Sequence, residues 1–376
     1  MSNVKKILID IPHHEHKAYI GKNHFKFLPA KIKKETKNKD VLIIGDSFFL
    51  EKQIFLLKKI LEKENFNTII YSTDAGKVNK TFSEVLKVYG ILETNNFARD
   101  SSIIALGGGT VGDMAGFIAS TWYRGINLIH IPTTLMAMVD SSIGGKVAVN
   151  YRDTINAVGN FYHPIFNHID LNFLRTLSNR DYISGIAEVL KCSLIADKSF
   201  FNYLKKNSKN VKKNNNEVNE RIIKKSVQIK LDHVKKDIYE GGKRLLLNYG
   251  HTFAHPIEIA TQDEKGEKVR HGEAVAIGIV ASLYASKEIF NLSQKKIEEI
   301  LECMKSLKLP LCVSSNKMGY RRDDLIEKCI SLTYKDKKRK SNKLRFILLK
   351  DIGKASISSD VNELILKRAY EKVILE

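Results

Sequence analysis

Residues 102–113 have the sequence SIIALGGGTVGD, in which a short apolar run is followed directly by three glycines. The run at 102–106 has the length and composition of a buried strand. Glycines after a strand let the backbone approach a diphosphate, and the next helix presents N–H donors and the positive end of its dipole. The segment has neither the GxGxxG fingerprint nor the lysine of a P-loop. It therefore predicts a phosphate-binding turn, with a glycine-rich turn that binds no ligand as the alternative.

The alternation of apolar runs and helical spacing extends to both sides of this turn. Further strands are predicted at residues 41–45, 68–71 and 127–131, with a helix at 82–92. Asp46 ends the first of these strands, where it can hold ribose hydroxyls or cap a turn. The rhythm predicts an open, mostly parallel, Rossmann-like α/β domain over residues 1–170.

The pattern changes to helical periodicity in the second half of the chain. The predicted helices lie at residues 183–201, 219–234, 252–261, 273–291 and 294–307. Residues 344–349 are the one late segment with a strong strand pattern. We therefore expect a mostly α-helical C-terminal domain over residues 171–376.

The charge of the chain is strongly positive, with 62 Lys+Arg against 42 Asp+Glu and a formal net charge of +20. Such a balance suits an enzyme for a phosphorylated, carboxylated substrate, and it also raises a nucleic-acid hypothesis. The lysine-rich runs at 205–225 and 335–343 lack the interleaved aromatic residues that stack on bases. We therefore expect no nucleic-acid partner, and we expect the first run to be an exposed helical insertion.

Targeting and redox signals indicate an ordinary intracellular protein. No apolar stretch is long enough to cross a membrane, and the N-terminal sequence MSNVKK lacks the apolar block of a signal peptide. The four cysteines, Cys192, Cys303, Cys312 and Cys329, form no CxxC pair, which favours reduced thiols. The expected location is the cytoplasm, without a membrane partner.

Histidines and one acidic residue in the second half form a possible metal site. His251 and His255 are four residues apart and would share a helix face, and His271 begins a His-Gly-Glu segment. With Glu188 upstream, two or three ring nitrogens and one carboxylate make a catalytic zinc arrangement; satisfied core histidines are the alternative. The sequence HHEH at 13–16 can also chelate metal, but its polar context predicts a solvated loop.

Several ordered motifs together resemble the 3-dehydroquinate synthase family. They are GGGTVGD (107–113), RGI (124–126), PTT (132–134), DSSIGGK (140–146), EVLK (188–191), KD (236–237), RLLLNYGHT (244–252) and HGEAV (271–275). The resemblance runs from about Tyr19 to Val361, and it implies the two-domain fold of that family.

The resemblance assigns roles to individual positions. It implies zinc, with cobalt as a possible substitute, on Glu188, His251 and His271. It implies NAD on Asp46, Lys80, Gly107, Gly108, Gly109, Val111, Gly112, Asp113, Thr133 and Thr134. It implies substrate binding and catalysis by Asp140, Lys146, Asn156, Lys191, Lys236, Arg244, Asn248, His255 and Lys337. Arg124 matches an arginine that reaches the neighbouring subunit's active site, which implies a homodimer.

The activity implied is a phosphate-eliminating carbon–oxygen lyase reaction of the shikimate pathway, which serves aromatic amino acid biosynthesis. The substrate, 3-deoxy-D-arabino-heptulosonate 7-phosphate, is transiently oxidised by NAD, loses phosphate, is reduced again and closes to 3-dehydroquinate by an intramolecular aldol reaction. Lysine and arginine side chains suit its carboxylate and phosphate, because guanidinium grips a carboxylate through two hydrogen bonds. His255 would relay a proton beside the metal.

Four positions depart from the family pattern, and they leave alternatives open. Lys77 replaces a glutamate, Ile155 replaces a lysine, and Ala254 and Pro256 replace glycine and alanine. The alternatives are another sugar phosphate cyclase (amino-dehydroquinate, inosose or valiolone type), a metal-dependent polyol dehydrogenase, or a paralogue without activity. Arg244 and Asn248 favour an acid substrate, and the retained ligands favour an active synthase.

Overall fold

The structure, a computed structural model, describes residues 4–11, 14–73, 80–152, 154–261, 268–337 and 344–376. The chain divides into two compact units, Met1–Ser178 and Asn179–Glu376. The predicted division after residue 170 falls at the end of the last strand of the first unit, whereas the observed division follows Ser178.

The first unit contains the sheet that the sequence predicted. Its described strands are β1 (Lys5–Ile11), β2 (His14–Gly21), β3 (Asp40–Asp46), β4 (Asn67–Thr73), β5 (Ser102–Gly107), β6 (Asn127–Pro132), β7 (Lys146–Tyr151), β8 (Thr154–Phe161) and β9 (Phe166–Asp170). Its described helices are α1 (Leu28–Glu35), α2 (Ser47–Glu62), α3 (Phe82–Thr94) and α4 (Gly109–Thr121). All four predicted strands and the predicted helix of this unit are present.

Seven strands form one sheet in the order β1-β2-β9-β6-β5-β3-β4. Every pairing is parallel except that of β1 with β2, so the predicted open, mostly parallel α/β fold is confirmed. Strand β5 is buried along its whole length. This is why it is apolar without alternation, since helices cover both faces of a parallel sheet.

The predicted solvated loop at residues 13–16 is wrong. His14 begins strand β2, which lies between β1 and β9, and His16 is only 2% exposed. His13 lies outside the described residues. The polar composition concealed an interior strand, because histidine side chains can be buried when the ring is neutral.

The second unit is mostly helical, as predicted. Its described helices are α5 (Asn179–Ala196), α6 (Lys198–Lys206), α7 (Ser208–Lys212), α8 (Asn216–Val234), α9 (His251–Ala260), α10 (His271–Phe290), α11 (Gln294–Ser306), α12 (Arg322–Lys337) and α13 (Glu363–Glu371). Short strands are β10 (Val313–Ser314), β11 (Phe346–Asp351), β12 (Lys354–Ser358) and β13 (Ile374–Leu375). Among the described helices, none has both the length and the apolar character needed to cross a membrane.

Two helix predictions need correction. The helix predicted over residues 183–201 is two helices, because Asp197 interrupts it and its carboxylate accepts a hydrogen bond from the Phe200 N–H as the cap of α6. The lysine-rich run at 205–225 is helical but is not simply an exposed insertion. Val211 and Ile222 are fully buried within it, so the lysines form only the outer face of packed helices.

Two glycines allow three helices of the second unit to pack at very short distance. A Cβ atom on Gly272 would lie 2.0 Å from the Ser184 carbonyl oxygen on α5. A Cβ atom on Gly278 would lie 2.2 Å from the Gly250 carbonyl oxygen, at the start of α9. Helix α10 therefore contacts α5 and α9 through bare backbone, which only glycine permits.

We predict that Gly272→Ala and Gly278→Ala each lower the free energy of unfolding by about 1–3 kcal/mol, because backbone must move to admit the methyl group. Gly90→Ala is the matched control: its Cβ would meet nothing within 4 Å on helix α3. That change should be neutral or stabilising by up to about 1 kcal/mol. Urea unfolding of the three variants measures the difference; equal stabilities would refute the close-packing argument.

Candidate active site

Three side chains from three helices converge in the second unit. Glu188 lies on α5, His251 is the first residue of α9, and His271 is the first residue of α10. One potential ligand atom from each lies within 4.8 Å of the others, and no other described His, Cys, Asp or Glu residues form such a group. The Nε2 atoms of His251 and His271 lie 3.6 Å and 3.8 Å from Glu188 Oε1.

In His251 and His271, the hydrogen bond made by Nδ1 determines that Nε2 is the ring nitrogen that faces Glu188. His251 Nδ1–H donates to the Tyr249 carbonyl at 3.2 Å, and His271 Nδ1–H donates to Glu258 Oε2 at 2.9 Å. Both rings therefore present the Nε2 lone pair towards Glu188. This is the usual arrangement around a metal, in which outer partners set the tautomer and orientation of ligating histidines.

The residues fit a zinc-type ion. Glu188 Oε1 is buried and has no hydrogen-bond partner, so a cation would satisfy it. Ligands about 2.0–2.2 Å from a tetrahedral zinc ion stand about 3.3–3.6 Å apart, close to the 3.6 Å and 3.8 Å that separate the two Nε2 atoms from Glu188 Oε1. Two nitrogens and one carboxylate leave a fourth position open, as in catalytic rather than structural zinc sites.

Lys191 balances the charge of the buried carboxylate. It lies one helical turn after Glu188 on α5, and its Nζ forms an ion pair with Glu188 Oε2 whose geometry is not that of a hydrogen bond. Both residues are at most 1% exposed. A carboxylate so deeply buried needs nearby positive charge, and Lys191 supplies it.

His255 lies beside the group without belonging to it. Its ring centroid is 5.3 Å from that of His251 and 6.2 Å from that of His271, and its side chain is exposed. Pro256 follows in the second turn of α9, beyond the first turn where proline is best tolerated. The helix nevertheless continues to Ala260, so the substitution leaves the element that carries His251 and His255 intact.

The predicted substrate residues between α8 and α9 share one polar turn. Asp237 accepts hydrogen bonds from the N–H groups of Gly241, Gly242 and Arg244. The Arg244 guanidinium, 1% exposed, donates to the Ile238 carbonyl at 2.5 Å. Asn248 Nδ2 donates to Glu240 Oε1 at 3.0 Å. The turn thus holds Arg244 and Asn248 in defined positions.

Two ammonium groups meet next to this turn. A hydrogen bond with Lys236 and the charge of Lys236 lower the pKa of Lys243. Two cations this close favour an anion between them, since an anion relieves their repulsion. Sequence reasoning named Lys236 but missed Lys243. The position of Lys243 directly before Arg244 was the signal that could have identified it.

The predicted cofactor residues of the first unit gather at the carboxyl ends of β3, β5 and β6. Because Gly45 on β3 pairs with Leu106 on β5, Asp46 ends level with Gly107. Strand order reverses between β3 and β5, since β4 lies on the other side of β3. In open α/β sheets, nucleotides bind in the crevice at such a switch point.

The glycine loop is closely packed, most tightly at Gly107. A Cβ on Gly107 would lie 2.6 Å from Val111 Cγ2, and one on Gly108 would lie 3.3 Å from Thr134 Cγ2. The Thr133 N–H donates to the Gly107 carbonyl at 3.0 Å, which ties the loop to the end of β6. Gly109, Val111, Gly112 and Asp113 then lie in the first turns of α4. The loop and both threonines therefore form one surface.

A lysine joins the helix after this loop to strand β8. Lys80 Nζ forms an ion pair with Asp113 Oδ2 at 2.5 Å and donates to Asn156 Oδ1. Asn156 has a φ of 54°. The structure thus brings three predicted residues together, two assigned to NAD and one to substrate. Lys77 lies outside the described residues.

The remaining predicted residues are placed individually. Asp140 lies in the π-helical turn Ala137–Ser141, and Lys146 is the exposed first residue of β7. Arg124 is exposed, with a φ of 67°. Lys337 is the last residue of α12, and its side chain lies outside the described part of the chain.

Comparison with known families supports the sequence-based interpretation. The family description "3-dehydroquinate synthase N-terminal" matches residues 70–184, and "3-dehydroquinate synthase C-terminal" matches residues 185–339. The 3-dehydroquinate synthase of Rippkaea orientalis is 37% identical over 363 residues, 96% of each chain. That of Thermoanaerobacter pseudethanolicus is 37% identical over 364 residues, 96% of this chain and 98% of the relative.

Solved structures with similar folds include other sugar phosphate cyclases. The 2-epi-5-epi-valiolone synthase of Streptomyces hygroscopicus with NAD+ and Zn2+ bound has a TM-score of 0.83 at 24% identity, covering 98% of this chain and 97% of its own. A 2-deoxy-scyllo-inosose synthase complexed with carbaglucose-6-phosphate, NAD+ and Co2+ also has a TM-score of 0.83 at 24% identity, covering 99% and 100%. A butanol dehydrogenase from Thermotoga maritima reaches 0.66 at 14% identity, covering 100% and 99%. These likenesses show the fold.

Glu258 is a residue that sequence reasoning missed, although its position seven residues after His251 places both on one face of α9.

We predict that Glu258→Gln weakens zinc binding about 10–100-fold, because the amide is a poorer partner for the His271 N–H. Competition with a chromogenic chelator measures this affinity. Glu299→Gln, which removes a surface carboxylate 3.1 Å from Lys205, is the control and should bind zinc as the unchanged protein does. Equal affinities for both variants would refute the role of Glu258.

Proposed function

The chain belongs to the 3-dehydroquinate synthase family, and we propose that it converts 3-deoxy-D-arabino-heptulosonate 7-phosphate into 3-dehydroquinate and phosphate. The reaction is a carbon–oxygen lyase reaction with phosphate as the leaving group. The observation that carries the proposal is the convergence of Glu188, His251 and His271, with Lys191 as counter-ion. A metal group of this composition is what the proposed chemistry on a polyhydroxy acid requires.

We assign the cofactors to separate sets of residues. Glu188, His251 and His271 would hold Zn2+, or Co2+ in its place, as the donor set and the buried Glu188 oxygen allow. The carboxyl ends of β3, β5 and β6 would hold NAD: Asp46 towards the ribose, the glycine loop and the start of α4 towards the diphosphate. When bound, zinc supplies positive charge that polarises substrate oxygens, and NAD supplies a transient oxidation that the same cofactor reverses.

The protein residues bind and orient an anionic substrate. Arg244 would bind the carboxylate through its guanidinium, and Asn248 would donate to a neighbouring oxygen. Lys236 and Lys243 would receive one negative group between them, relieving their mutual repulsion. We also assign Asp140, Lys146, Asn156 and Lys337 to substrate binding, from the family pattern that they match.

His255 would move the proton. Its ring is exposed and lies one turn from His251, close to the metal ligands without being one of them. An imidazole with access to solvent can take a proton from a substrate hydroxyl and return it, because its ordinary pKa lies near neutrality. Zinc ligands cannot do this while their lone pairs are bound.

Arg244 and Asn248 distinguish the proposal from alternatives whose substrates carry no carboxylate, but not from an amino-dehydroquinate synthase, whose substrate is also an acid. Cyclases of the inosose and valiolone type use substrates without a carboxylate, so they need no guanidinium placed to bind one through paired hydrogen bonds. A polyol dehydrogenase would release NADH and would need no paired cations at Lys236 and Lys243. Assembly as a homodimer, with Arg124 reaching the neighbouring site, remains a prediction, as does the cytoplasmic location; exposure of Arg124 supports the former.

We expect the zinc-loaded protein, given NAD and 3-deoxy-D-arabino-heptulosonate 7-phosphate, to release one phosphate per 3-dehydroquinate formed without lasting NADH absorbance. The cofactor is regenerated in each turnover, so substoichiometric NAD should suffice. Phosphate release, product and NADH absorbance are measured in the same sample. Accumulating NADH without phosphate would instead indicate a dehydrogenase.

We predict that Arg244→Ala lowers kcat/KM about 30- to 1000-fold, corresponding to about 2–4 kcal/mol for loss of a buried charged contact. Arg244→Lys should recover only part of this loss, because ammonium cannot form the paired hydrogen bonds. NAD affinity, measured by fluorescence quenching, should stay unchanged in both. Arg368→Ala on the surface is the control, and an unaltered substrate dependence in Arg244→Ala would exclude Arg244 from the carboxylate site.

A further inference from the structure

A second cluster of histidines lies in the first unit and includes no residue assigned above. His14 and His16 lie on β2, and His163 lies in the segment before β9. Ring centroids are 5.2 Å apart for His14 and His16, 5.2 Å for His14 and His163, and 5.8 Å for His16 and His163. Three imidazoles therefore occupy one small volume.

The sheet register produces this cluster. Residues two apart on a strand point to the same face, so His14 and His16 share a face while exposed Glu15 points away. Strand β2 runs parallel to β9 with Lys17 opposite Phe166. Three residues before this pair lie His14, the first residue of β2, and His163, in the segment that leads into β9. The pairing of β2 with β9 therefore brings the two histidines close together.

His16 is the buried side chain that most clearly indicates a missing ligand. It is 2% exposed, and neither of its ring nitrogens has a hydrogen-bond partner. Burial, together with His14, His163 and His130, lowers the pKa of His16 well below its ordinary value, so the ring is neutral. A neutral imidazole carries one lone pair, and a buried polar ring with no partner is rare in a folded protein.

The spacing of the rings matches metal ligation. With nitrogen 2.0–2.1 Å from zinc and the ring centre about 1.1 Å beyond, three imidazoles around a tetrahedral ion have centroids about 5 Å apart. His14 Nε2–H donates to the Pro164 carbonyl at 3.2 Å, which leaves Nδ1 as its lone-pair atom. The nitrogens of the three rings do not yet lie as close as those of the Glu188 group, so ligation needs rotation about χ2, a soft torsion.

We propose that His14, His16 and His163 form a second metal site, which binds a divalent transition cation such as Zn2+, Co2+ or Ni2+. Imidazole nitrogen suits these ions, whereas Mg2+ and Ca2+ prefer oxygen ligands. The bound ion would join β2 to the segment before β9. The inference does not depend on the proposed enzymatic activity.

The test counts the metal ions bound to the 376-residue chain. Metal-free protein is dialysed against excess Co2+, and bound cobalt is measured by elemental analysis and by its visible absorption spectrum. We expect two ions per chain for the unchanged protein. His163→Gln and His16→Asn should each bind one ion and keep their affinity at the first site, and His251→Ala should also bind one.

The control replaces a buried histidine elsewhere. His233 on α8 is held by the Ile229 carbonyl, so His233→Gln should still bind two ions. The double variant with His251→Ala and His163→Gln should bind none. One ion per chain in the unchanged protein, or two in His163→Gln, would overturn the proposal. Circular dichroism shows whether His16→Asn folds. If it does not, the cobalt content of His14→Gln and His163→Gln, which change half-buried side chains, tests the proposal in its place.

Discussion

The second unit depends on the contact of helix backbones without side chains between them. Metal ligands on α5, α9 and α10 can approach within 4.8 Å only if those helices come very close. Gly272 and Gly278 make this possible, because a methyl group at either position would overlap a carbonyl oxygen. The positions of Glu188, His251 and His271 therefore depend on two glycines that have no functional side chain.

In the first unit, the fold brings polar groups together at one edge of an apolar sheet. Parallel strands end at the same edge, so Asp46, Gly107 and Thr133 meet although they are far apart in sequence. The glycine loop packs against Val111 and Thr134. It leads directly into α4, whose first N–H groups have no acceptor within the helix. Topology rather than local sequence determines this meeting.

Much of the architecture could be predicted from periodicity and ordered motifs. The strands around residues 41–45, 102–106 and 127–131 were found because buried parallel strands are apolar without interruption. The strand at His14–Gly21 was missed, because its polar residues are buried only through pairing with β9, a distant part of the chain. The split at Asp197 was missed because a capping residue within an apolar periodicity resembles a solvent-facing position. Glu258 and Lys243 were missed because their roles depend on which neighbours folding supplies.

An ion bound to the three ligand-bearing helices would also reduce the conformational entropy of the chain. Glu188, His251 and His271 are separated by long stretches of sequence, so an ion held by all three closes two loops at once, as a cross-link would. In the unfolded chain such closures are disfavoured, and the ion binds only when the glycine contacts have already brought the helices together. The packing of the helices therefore prepares the site, and an ion bound there would in turn stabilise the packed arrangement over the unfolded chain.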